Sequence, residues 1–393
     1  MADWIGSKAY RDNPQSDTEP TILIIGAGTF GTSTAYRLSK SYKDPSKVTI
    51  IDRAPSPPKP AASIDVSRII RTDYPNHFYS NLAYEAWHAW FWSLELQSYF
   101  HMTGWVAIDE EGSKLSERVR RVLSERSYDH TEDVPLETLA ERWKTLKGTQ
   151  TEGFKDAYFN NEAGWCNAAA ATANFMEAAV KRGIRRVTAE VTELMYEDGR
   201  VTGVRTSDGQ HLTAEKIVLA SGAWTSTLLS PIEDILEIPE NDRIERQVTA
   251  VGQVSAYYTV SEDEAKHLTG AKTPVVVLGN QGEAVPPSKE NRTIKYTNYH
   301  NFTNTVTTSS GAKITAPPGT DGNQLDVPKE LKRETEALAA KLMPEYSRGR
   351  NPDHWRICWD AYTPTQDWLV SKHPHEKLSN LYIATGGSFH GYK

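Results

Sequence analysis

The first strongly apolar segment of the chain leads directly into a group of glycines. Residues 22–25 are all aliphatic, residues 26–31 have the pattern Gly-x-Gly-x-x-Gly, and the sequence then has helical periodicity to about Lys40. This pattern predicts a strand, a tight turn and a helix whose N-terminal amides bind a phosphate group. We therefore expect a dinucleotide-binding turn at Gly26, Gly28 and Gly31, with Thr29 and Phe30 beside it.

A second apolar run, residues 48–52, ends in Asp52, which lies 26 residues after Gly26. An acid in this place typically accepts a hydrogen bond from a ribose 2′-hydroxyl, and Arg53 follows it. Strand, turn, helix and acid in this order predict a nucleotide-binding βαβ unit. A Rossmann-like unit that binds nothing is the alternative.

The next helical pattern covers residues 79–97. Trp87, Trp90, Phe91 and Leu94 are spaced by three, four and seven positions, which is typical of the apolar face of a helix. We interpret this stripe as core rather than as a cofactor site. Residues 112–146 are charged and helical in pattern.

The middle of the chain distinguishes between the two dinucleotide classes. An alanine-rich helix is predicted at 168–182, and a strand begins near residue 187. Asp-Gly turns at 198–199 and 208–209 separate the runs of a three-stranded meander, and another buried strand is predicted from residue 216. Because a nicotinamide dehydrogenase would more often continue with alternating strands and helices, this order favours FAD.

The remaining segments predict the second part of the fold. Residues 244–310 are rich in Val, Thr and Tyr and predict an antiparallel sheet, and residues 328–344 predict an amphipathic helix. The fold class is therefore α/β (α+β), with a Rossmann-type FAD-binding domain like that of glutathione reductase and an inserted, mainly antiparallel substrate domain. The expected ranges are a polar tail at 1–19, the FAD-binding domain at 20–92, 155–232 and 352–393, and the substrate-binding domain at 93–154 and 233–351.

Composition narrows the classes of partner. The 393 residues include 44 Lys+Arg and 51 Asp+Glu, giving a net charge of −7 and no basic block for nucleic acid. No apolar run approaches the roughly 18–20 residues of a membrane helix, and residues 1–19 lack the apolar centre of a secretory signal. We expect a soluble intracellular protein, cytoplasmic or peroxisomal, with no visible targeting signal. Two cysteines exclude a disulfide framework, and we identify no metal site.

Eight short motifs together resemble a known family. They lie at residues 26–31, 65–71, 164–165, 221–224, 293–295, 356–360, 373–374 and 386–393. In this order the motifs resemble the D-amino-acid-oxidase-like flavoproteins, and within them the branch of sarcosine oxidases and fructosyl amino acid oxidases (amadoriases). Each motif alone is weak, whereas the ordered set is specific.

The resemblance implies FAD, joined covalently through an 8α-S-cysteinyl bond to Cys358. The alternative for Cys358 is that it packs as a small buried apolar residue, and this is our interpretation of Cys166. The expected cofactor-binding residues are Gly26, Gly28, Thr29, Phe30, Gly31, Asp52, Arg53, Ser67, Arg68, Val191, Ser221, Gly222, Trp224, Cys358, Gly386, Gly387, His390, Gly391 and Lys393.

The resemblance also implies roles in catalysis and in substrate binding. Lys295 would lie against the flavin, where a cation promotes the reaction with O₂, and Arg68 and Cys358 complete the expected catalytic set. Arg71 and Lys393 would bind the substrate carboxylate, with Tyr299, His300 and Asp360 also in contact. Arg68 and Arg71 would share one face if their segment is helical, and surface ion pairing is the alternative for both.

The implied activity is that of an oxidoreductase. We expect a monomeric FAD-dependent amine oxidase. It would oxidise the C–N bond of a secondary amine or N-substituted amino acid by hydride transfer to flavin and reduce O₂ to H₂O₂. Position 299 carries Tyr, where fructosyl amino acid oxidases typically carry Glu and sarcosine oxidases carry His. A secondary-metabolite tailoring oxidase that performs oxidative cyclisation, or a flavin-free scaffold, therefore stays open.

Overall fold

The computed structural model describes residues 19–57, 59, 61–126, 129–319 and 324–392. The α-helices of these ranges are Thr29–Ser41, His77–Trp92, Leu115–Ser124, Leu139–Arg142, Ala168–Lys181, Thr225–Ile235, Glu262–Gly270, Lys329–Leu342 and Pro344–Ser347. No helix in the described ranges is long and apolar enough to span a membrane.

A six-stranded sheet, which we call the parallel sheet, contains the first predicted strand. Its order is Leu369–Lys372, Leu381–Thr385, Lys216–Leu219, Ile22–Ile25, Val48–Asp52 and Arg185–Thr188. All neighbours are parallel except the first pair, which is antiparallel. The central strand is buried at every position. Helices Thr29–Ser41 and Ala168–Lys181 cover one face of the sheet, and strands Val191–Glu197 and Arg200–Thr206 with helix Thr225–Ile235 cover the other. This arrangement places the glycine turn at the carboxyl end of a central strand.

A nine-stranded sheet, which we call the large sheet, forms the second layer. Its path is Phe302–Thr303, Thr249–Thr259, Thr293–Asn298, Gly282–Val285, Val275–Leu278, Trp105–Glu110, Phe154–Asn160 and Thr131–Asp133, and His354–Tyr362 also pairs with Thr249–Thr259. One pair in it is parallel, the strands Val275–Leu278 and Trp105–Glu110. The predicted mainly antiparallel sheet is thus confirmed.

Smaller sheets complete the fold. The predicted meander consists of Val191–Glu197, Arg200–Thr206 and His211–Thr213. Another sheet joins Arg68–Ile70, Gly164–Cys166 and Phe100–His101, and a hairpin joins Thr305–Thr307 with Lys313–Thr315. The α/β class with a Rossmann-type unit and an antiparallel sheet is confirmed.

Alternation along the strands gives the large sheet two chemically different faces. One face is apolar and packs on Lys329–Leu342, with Ile294, Tyr296 and Tyr258 in its core. The register places polar side chains together on the opposite face: Trp105, Asp109, Gln253, Glu283, Lys295, Thr297, Cys358 and Asp360. The opposite face therefore gathers residues from distant parts of the sequence.

Some local predictions were wrong. The second helix ends at Trp92, so Leu94 leaves the predicted stripe and is 82% exposed, whereas Trp90 is buried. The charged segment 112–146 contains two helices, and a short strand lies between them. Arg68 lies in a strand, not a helix, so helical spacing does not relate it to Arg71.

The expected domain ranges stay a prediction. The strands Phe154–Asn160 and His354–Tyr362 pair within the large sheet, although the ranges assigned most of them to the nucleotide-binding part. The expected tail falls outside the described residues except for Glu19.

Candidate active site

One cavity of about 1180 Å³ extends from the glycine turn to the polar face of the large sheet. Gly26 and Asp52 line one part of it, and Cys358, Arg71 and Glu283 line another. Pockets for ordinary small ligands are about 300–1,000 Å³. The cavity is thus large enough for an extended cofactor together with a substrate.

The glycine turn cannot accommodate a side chain at Gly26 or at Gly31. Gly26 has φ +100°, and a Cβ there would lie 2.4 Å from the carbonyl oxygen of Ala220. A Cβ on Gly31 would lie 1.8 Å from the carbonyl oxygen of Gly26. The helix after the turn has Gly28 as its N-cap, with no side-chain hydrogen bond at the cap. The first amides of the helix are therefore available to an anion.

Two further observations fit a nucleotide cofactor at this turn. Asp52 accepts hydrogen bonds from the backbone amides of Ala27 at 2.8 Å and Ala54 at 3.1 Å, and it still lines the cavity. Burial raises the pKa of Asp52. Ser63 also lines the cavity, and its Oγ is buried without a hydrogen-bond partner among the described residues. Such an atom is typically satisfied by a ligand or water.

A buried ionic cluster lies beneath the polar face. Asp65 Oδ2 lies 3.2 Å from Lys295 Nζ, 3.1 Å from Arg68 Nη1 and 3.6 Å from Arg356 Nη1, and Tyr257 donates its hydroxyl to Oδ1 at 2.9 Å. Burial alone would raise the pKa of Asp65, but the three cations hold it well below its ordinary value. One anion thus positions three cations, so Asp65 is fully paired and the cluster keeps an excess of positive charge.

Lys295 is completely buried although it occupies a strand position that is usually solvated. Its Nζ also donates a hydrogen bond to the backbone oxygen of Ser67 at 3.1 Å. Lys295 and Ser67 do not themselves line the cavity, but Arg68, in contact with the same carboxylate, does. The ammonium group is therefore a fixed positive charge just beneath the cavity.

Cys358 brings a thiol to the cavity wall. Arg68 Nη2 lies 2.9 Å from its Sγ and also donates a hydrogen bond to the backbone oxygen of Ala62. Cys166, by contrast, does not line the cavity and is completely buried, and burial raises its pKa. The two free cysteines thus differ in access to the cavity.

Arg71 lies among aromatic rings. Its guanidinium is 4.6 Å from the ring centre of Tyr74 and 4.7 Å from that of Trp105, and all three residues line the cavity. Planar stacking of this kind fixes an arginine while its N–H groups stay available. The geometry suits bidentate binding of a carboxylate.

Tyr299 and Glu283 lie side by side at the cavity wall. The Tyr299 hydroxyl donates a hydrogen bond to Glu283 Oε2 at 2.6 Å, and Glu283 Oε1 lies 3.9 Å from Lys295 Nζ. Burial, and then the charge of Glu283, raises the pKa of Tyr299 well above its ordinary value. Tyr299 therefore stays protonated and donates.

The C-terminal glycine segment folds around Asp360. The backbone amides of Phe389 and Ala361 donate hydrogen bonds to its carboxylate at 2.8 and 2.9 Å. Ser388 and Phe389 have φ values of +46° and +60°, which non-glycine residues rarely adopt. Backbone strain of this kind is concentrated at functional sites.

Most of the predicted site residues line this one cavity. They are Gly26, Gly28, Thr29, Phe30, Asp52, Arg53, Arg68, Arg71, Val191, Ser221, Gly222, Trp224, Tyr299, Cys358, Asp360, Gly387, His390 and Gly391. Arg53 stacks on Trp224 at 4.4 Å from the ring centre. Gly31 and Gly386 lie behind the wall, and Lys393 lies outside the described residues.

His300 is separate from this group. Its Nδ1 lies 2.8 Å from Glu334 Oε2 at the surface, and it does not line the cavity. The sequence reasoning missed Asp65, Glu283 and Trp105. Only Asp65 had a signal, because it begins the motif that ends at Arg71.

Comparison with known proteins agrees with the geometry. The family described as DAO, FAD dependent oxidoreductase, matches residues 21–393. The chain is 24% identical over 396 residues to L-saccharopine oxidase of Schizosaccharomyces pombe, covering 95% of this chain and 86% of that protein. It is 26% identical over 387 residues to a monomeric sarcosine oxidase of a Bacillus species, covering 95% and 89%.

A solved structure shows the same similarity. The deglycating enzyme fructosamine oxidase (amadoriase II) from Aspergillus fumigatus superimposes with a TM-score of 0.79 and 25% identity, covering 95% of this chain and 82% of that one. The family match extends over nearly the whole chain, including the glycine turn and the segment around Cys358. The chain therefore belongs to the DAO family of FAD-dependent oxidoreductases.

Proposed function

We propose that this enzyme oxidises the C–N bond of a secondary amine, an N-substituted amino acid, with O₂ as the electron acceptor. The observation that carries this proposal is that Arg71, Arg68 and Cys358 line the same cavity as the glycine turn. When bound, FAD supplies the acceptor for a hydride and passes the electrons on to O₂, giving H₂O₂. The similarity to saccharopine, sarcosine and fructosamine oxidases supports the same class of reaction.

The residues of the cavity have separate tasks in this proposal. The amides after Gly28 hold the phosphates, and Asp52 holds the ribose. Arg71 binds the substrate carboxylate, because its guanidinium is held against the rings of Tyr74 and Trp105 at the cavity wall. This contact orients the C–N bond relative to the cofactor ring, and the imine product then hydrolyses.

Two further residues act on the cofactor. We assign the covalent flavin link to Cys358, whose Sγ lies at the cavity wall beside Arg68. We assign the promotion of O₂ reduction to Lys295, a buried cation beneath the cavity that stabilises developing negative charge. The monomeric state and the cellular compartment stay predictions.

A peroxide assay tests the proposed function. Purified enzyme is incubated with sarcosine, pipecolate, saccharopine, fructosyl amino acids and N-methyl aromatic amino acids, and H₂O₂ is measured by a coupled peroxidase. We expect release with at least one of them. The variant Arg205→Gln, altered at an exposed ion pair with Glu193, is the matched control and should behave as wild type. Absence of both peroxide and anaerobic flavin bleaching with every compound would contradict the proposal.

A tailoring oxidase is the second candidate, and the aromatic wall favours it. Tyr299, Trp105 and Tyr74 line the cavity around Arg71, so an aromatic amino acid could pack there. The products separate the two functions by mass spectrometry. An aldehyde plus a shortened amine supports simple oxidation, and a cyclised amine supports oxidative cyclisation.

A further inference from the structure

The carboxylate of Glu283 has one occupied and one open oxygen in the cavity. Oε2 accepts the hydroxyl hydrogen of Tyr299 at 2.6 Å. Among the described residues no group donates a hydrogen bond to Oε1, and its nearest cation, Lys295 Nζ, is 3.9 Å away. A carboxylate has lone pairs for about four hydrogen bonds. Oε1 therefore has unused hydrogen-bonding capacity, on a residue that lines the cavity.

Lys295 neutralises Glu283 only in part, and Arg68 is a second cation within electrostatic range. Its Nζ is 3.2 Å from Asp65 Oδ2 and 3.1 Å from the backbone oxygen of Ser67, both closer than Glu283. The Glu283 side chain is 13% exposed, so water compensates its charge only in part. A partly buried carboxylate in this state is stabilised by a cationic ligand that donates hydrogen bonds.

The surroundings also define which cation fits. Tyr299 fixes the position of Glu283, and Arg71 is close enough to Tyr299 to lower its pKa while Glu283 raises it. Arg71, which can bind an anion, and Glu283, which can bind a cation, thus both act on one tyrosine and line the same cavity. This pairing matches a zwitterion, with a carboxylate at Arg71 and an ammonium group at Glu283.

We infer that Glu283, positioned by Tyr299, binds the protonated amine of the arriving substrate, so that the enzyme selects zwitterionic amino acids over carboxylic acids without a basic nitrogen. The ammonium proton passes to the Glu283 carboxylate before the hydride leaves, because hydride loss needs the lone pair of the nitrogen. This inference rests on the proposed function and extends it to recognition. The site expected from the sequence included Tyr299 but not Glu283.

Binding of two isosteric acids to the FAD-loaded protein tests the inference. The probes are 2-aminoisobutyrate and pivalate, which differ by an ammonium group in place of a methyl group. Because the α-carbon of 2-aminoisobutyrate has no hydrogen, no oxidation occurs there, and isothermal titration calorimetry measures binding alone. We expect wild type to bind 2-aminoisobutyrate at least about tenfold more tightly than pivalate, as for a hydrogen bond to a charged group.

The variant Glu283→Gln should bring the two affinities within about twofold of each other, mainly by weakening the binding of 2-aminoisobutyrate. The control Glu334→Gln, which removes an acid of similar length paired with His300 outside the cavity, should keep the preference. A preference that survives Glu283→Gln, equal weakening of both probes, or no preference in wild type would each overturn the inference.

A second pair of variants covers poor folding of Glu283→Gln. Glu283→Asp withdraws the carboxylate by one methylene and should reduce the preference, whereas an undiminished preference would overturn the inference. Tyr299→Phe keeps the Glu283 carboxylate but removes the hydrogen bond that positions it. This variant should reduce the preference for 2-aminoisobutyrate less than Glu283→Gln does. The proposed function fails on absent peroxide, whereas this inference fails on a binding ratio, so the two failures are distinguishable.

Discussion

Lys295 Nζ and Asp65 Oδ2 lie 3.2 Å apart, and both side chains are almost completely buried although 230 residues separate them in the chain. The contact joins the large sheet to the segment that follows the nucleotide-binding βαβ unit. Asp65 also pairs with Arg68 and Arg356. Removal of Asp65 would leave these three cations without their shared counter-charge, which is strongly destabilising.

Lys295→Met should slow the reaction of the reduced enzyme with O₂ by about a hundredfold, as for the loss of one electrostatic contact in a buried site. Reduction by substrate should change much less, because Arg71 is unaltered. Stopped-flow spectroscopy separates the two half-reactions. Lys295→Arg, which keeps a cation beside Asp65, should recover part of the rate. Equal loss in both half-reactions would indicate a structural role alone.

If the proposed covalent link forms through Cys358, acid should release the flavin from Cys358→Ser but not from wild type. The expectation follows from the thiol at the cavity wall, 2.9 Å from Arg68 Nη2. Acid-precipitated wild-type protein should stay yellow, and the variant should lose its colour to the supernatant. Cys166→Ala removes the buried thiol that does not line the cavity and should stay yellow. Colour released from wild type would rule out the covalent link.

Arg71→Gln should raise KM for an amino acid substrate by about 10- to 100-fold, the range for a hydrogen bond to a charged group. The reason is the loss of the guanidinium that stacks on Tyr74 and Trp105. Steady-state kinetics with the substrate found by the peroxide assay measure the change. An unchanged KM would show that the carboxylate binds elsewhere.

Gly31→Ala should prevent stoichiometric flavin binding, because its Cβ would overlap the carbonyl oxygen of Gly26 at 1.8 Å. The ratio of absorbance at 450 nm to that at 280 nm in the purified variant gives the flavin content. Gly270→Ala, at the end of a helix with nothing within 4 Å of the added methyl group, is the control. Full flavin content in Gly31→Ala would exclude close approach at this turn.

Glu233 should make stability depend on pH. Burial raises its pKa from 4.5 to about 7 in the folded chain, although the amide of Ile244 and the Arg243 cation oppose this. Because the folded pKa is the higher one, the stabilisation is fully present below pH 4.5 and is lost as pH rises through 7.

Glu233→Gln should therefore gain in unfolding free energy relative to wild type between pH 5 and pH 8, by up to about 3 kcal/mol. Urea titrations across this range measure the difference. Glu240→Gln, at an 85% exposed side chain, should show no such trend. A difference that does not vary with pH would contradict the raised pKa.

Local patterns predicted much of the fold because they depend on short-range geometry. The glycine turn, the meander and the helix Lys329–Leu342 all follow from spacing within about fifteen residues. The prediction extended the helix His77–Trp92 too far because the apolar periodicity continues to Leu94. The helix ends at Trp92, and Leu94 is exposed and outside the core.

The candidate site was only partly predictable. Resemblance to a family identified Lys295 and Cys358, but no local pattern connects Lys295 with Asp65, or Glu283 with Tyr299. These contacts depend on sheet register and on the path of a loop, which are set by long-range packing. A lysine and a glutamate on strands resemble ordinary surface residues until the opposite layer is known.

The two faces of the large sheet also limit which insertions and deletions the sequence can tolerate during evolution. In the strand Thr293–Asn298, Lys295 and Thr297 point to the polar face, and Ile294 and Tyr296 point to the apolar core. Inserting or deleting one residue before this strand would exchange the two sets and place a lysine in the core. Insertions or deletions of an even number of residues preserve the alternation. We therefore expect length changes before this strand in homologous proteins to be even numbers of residues.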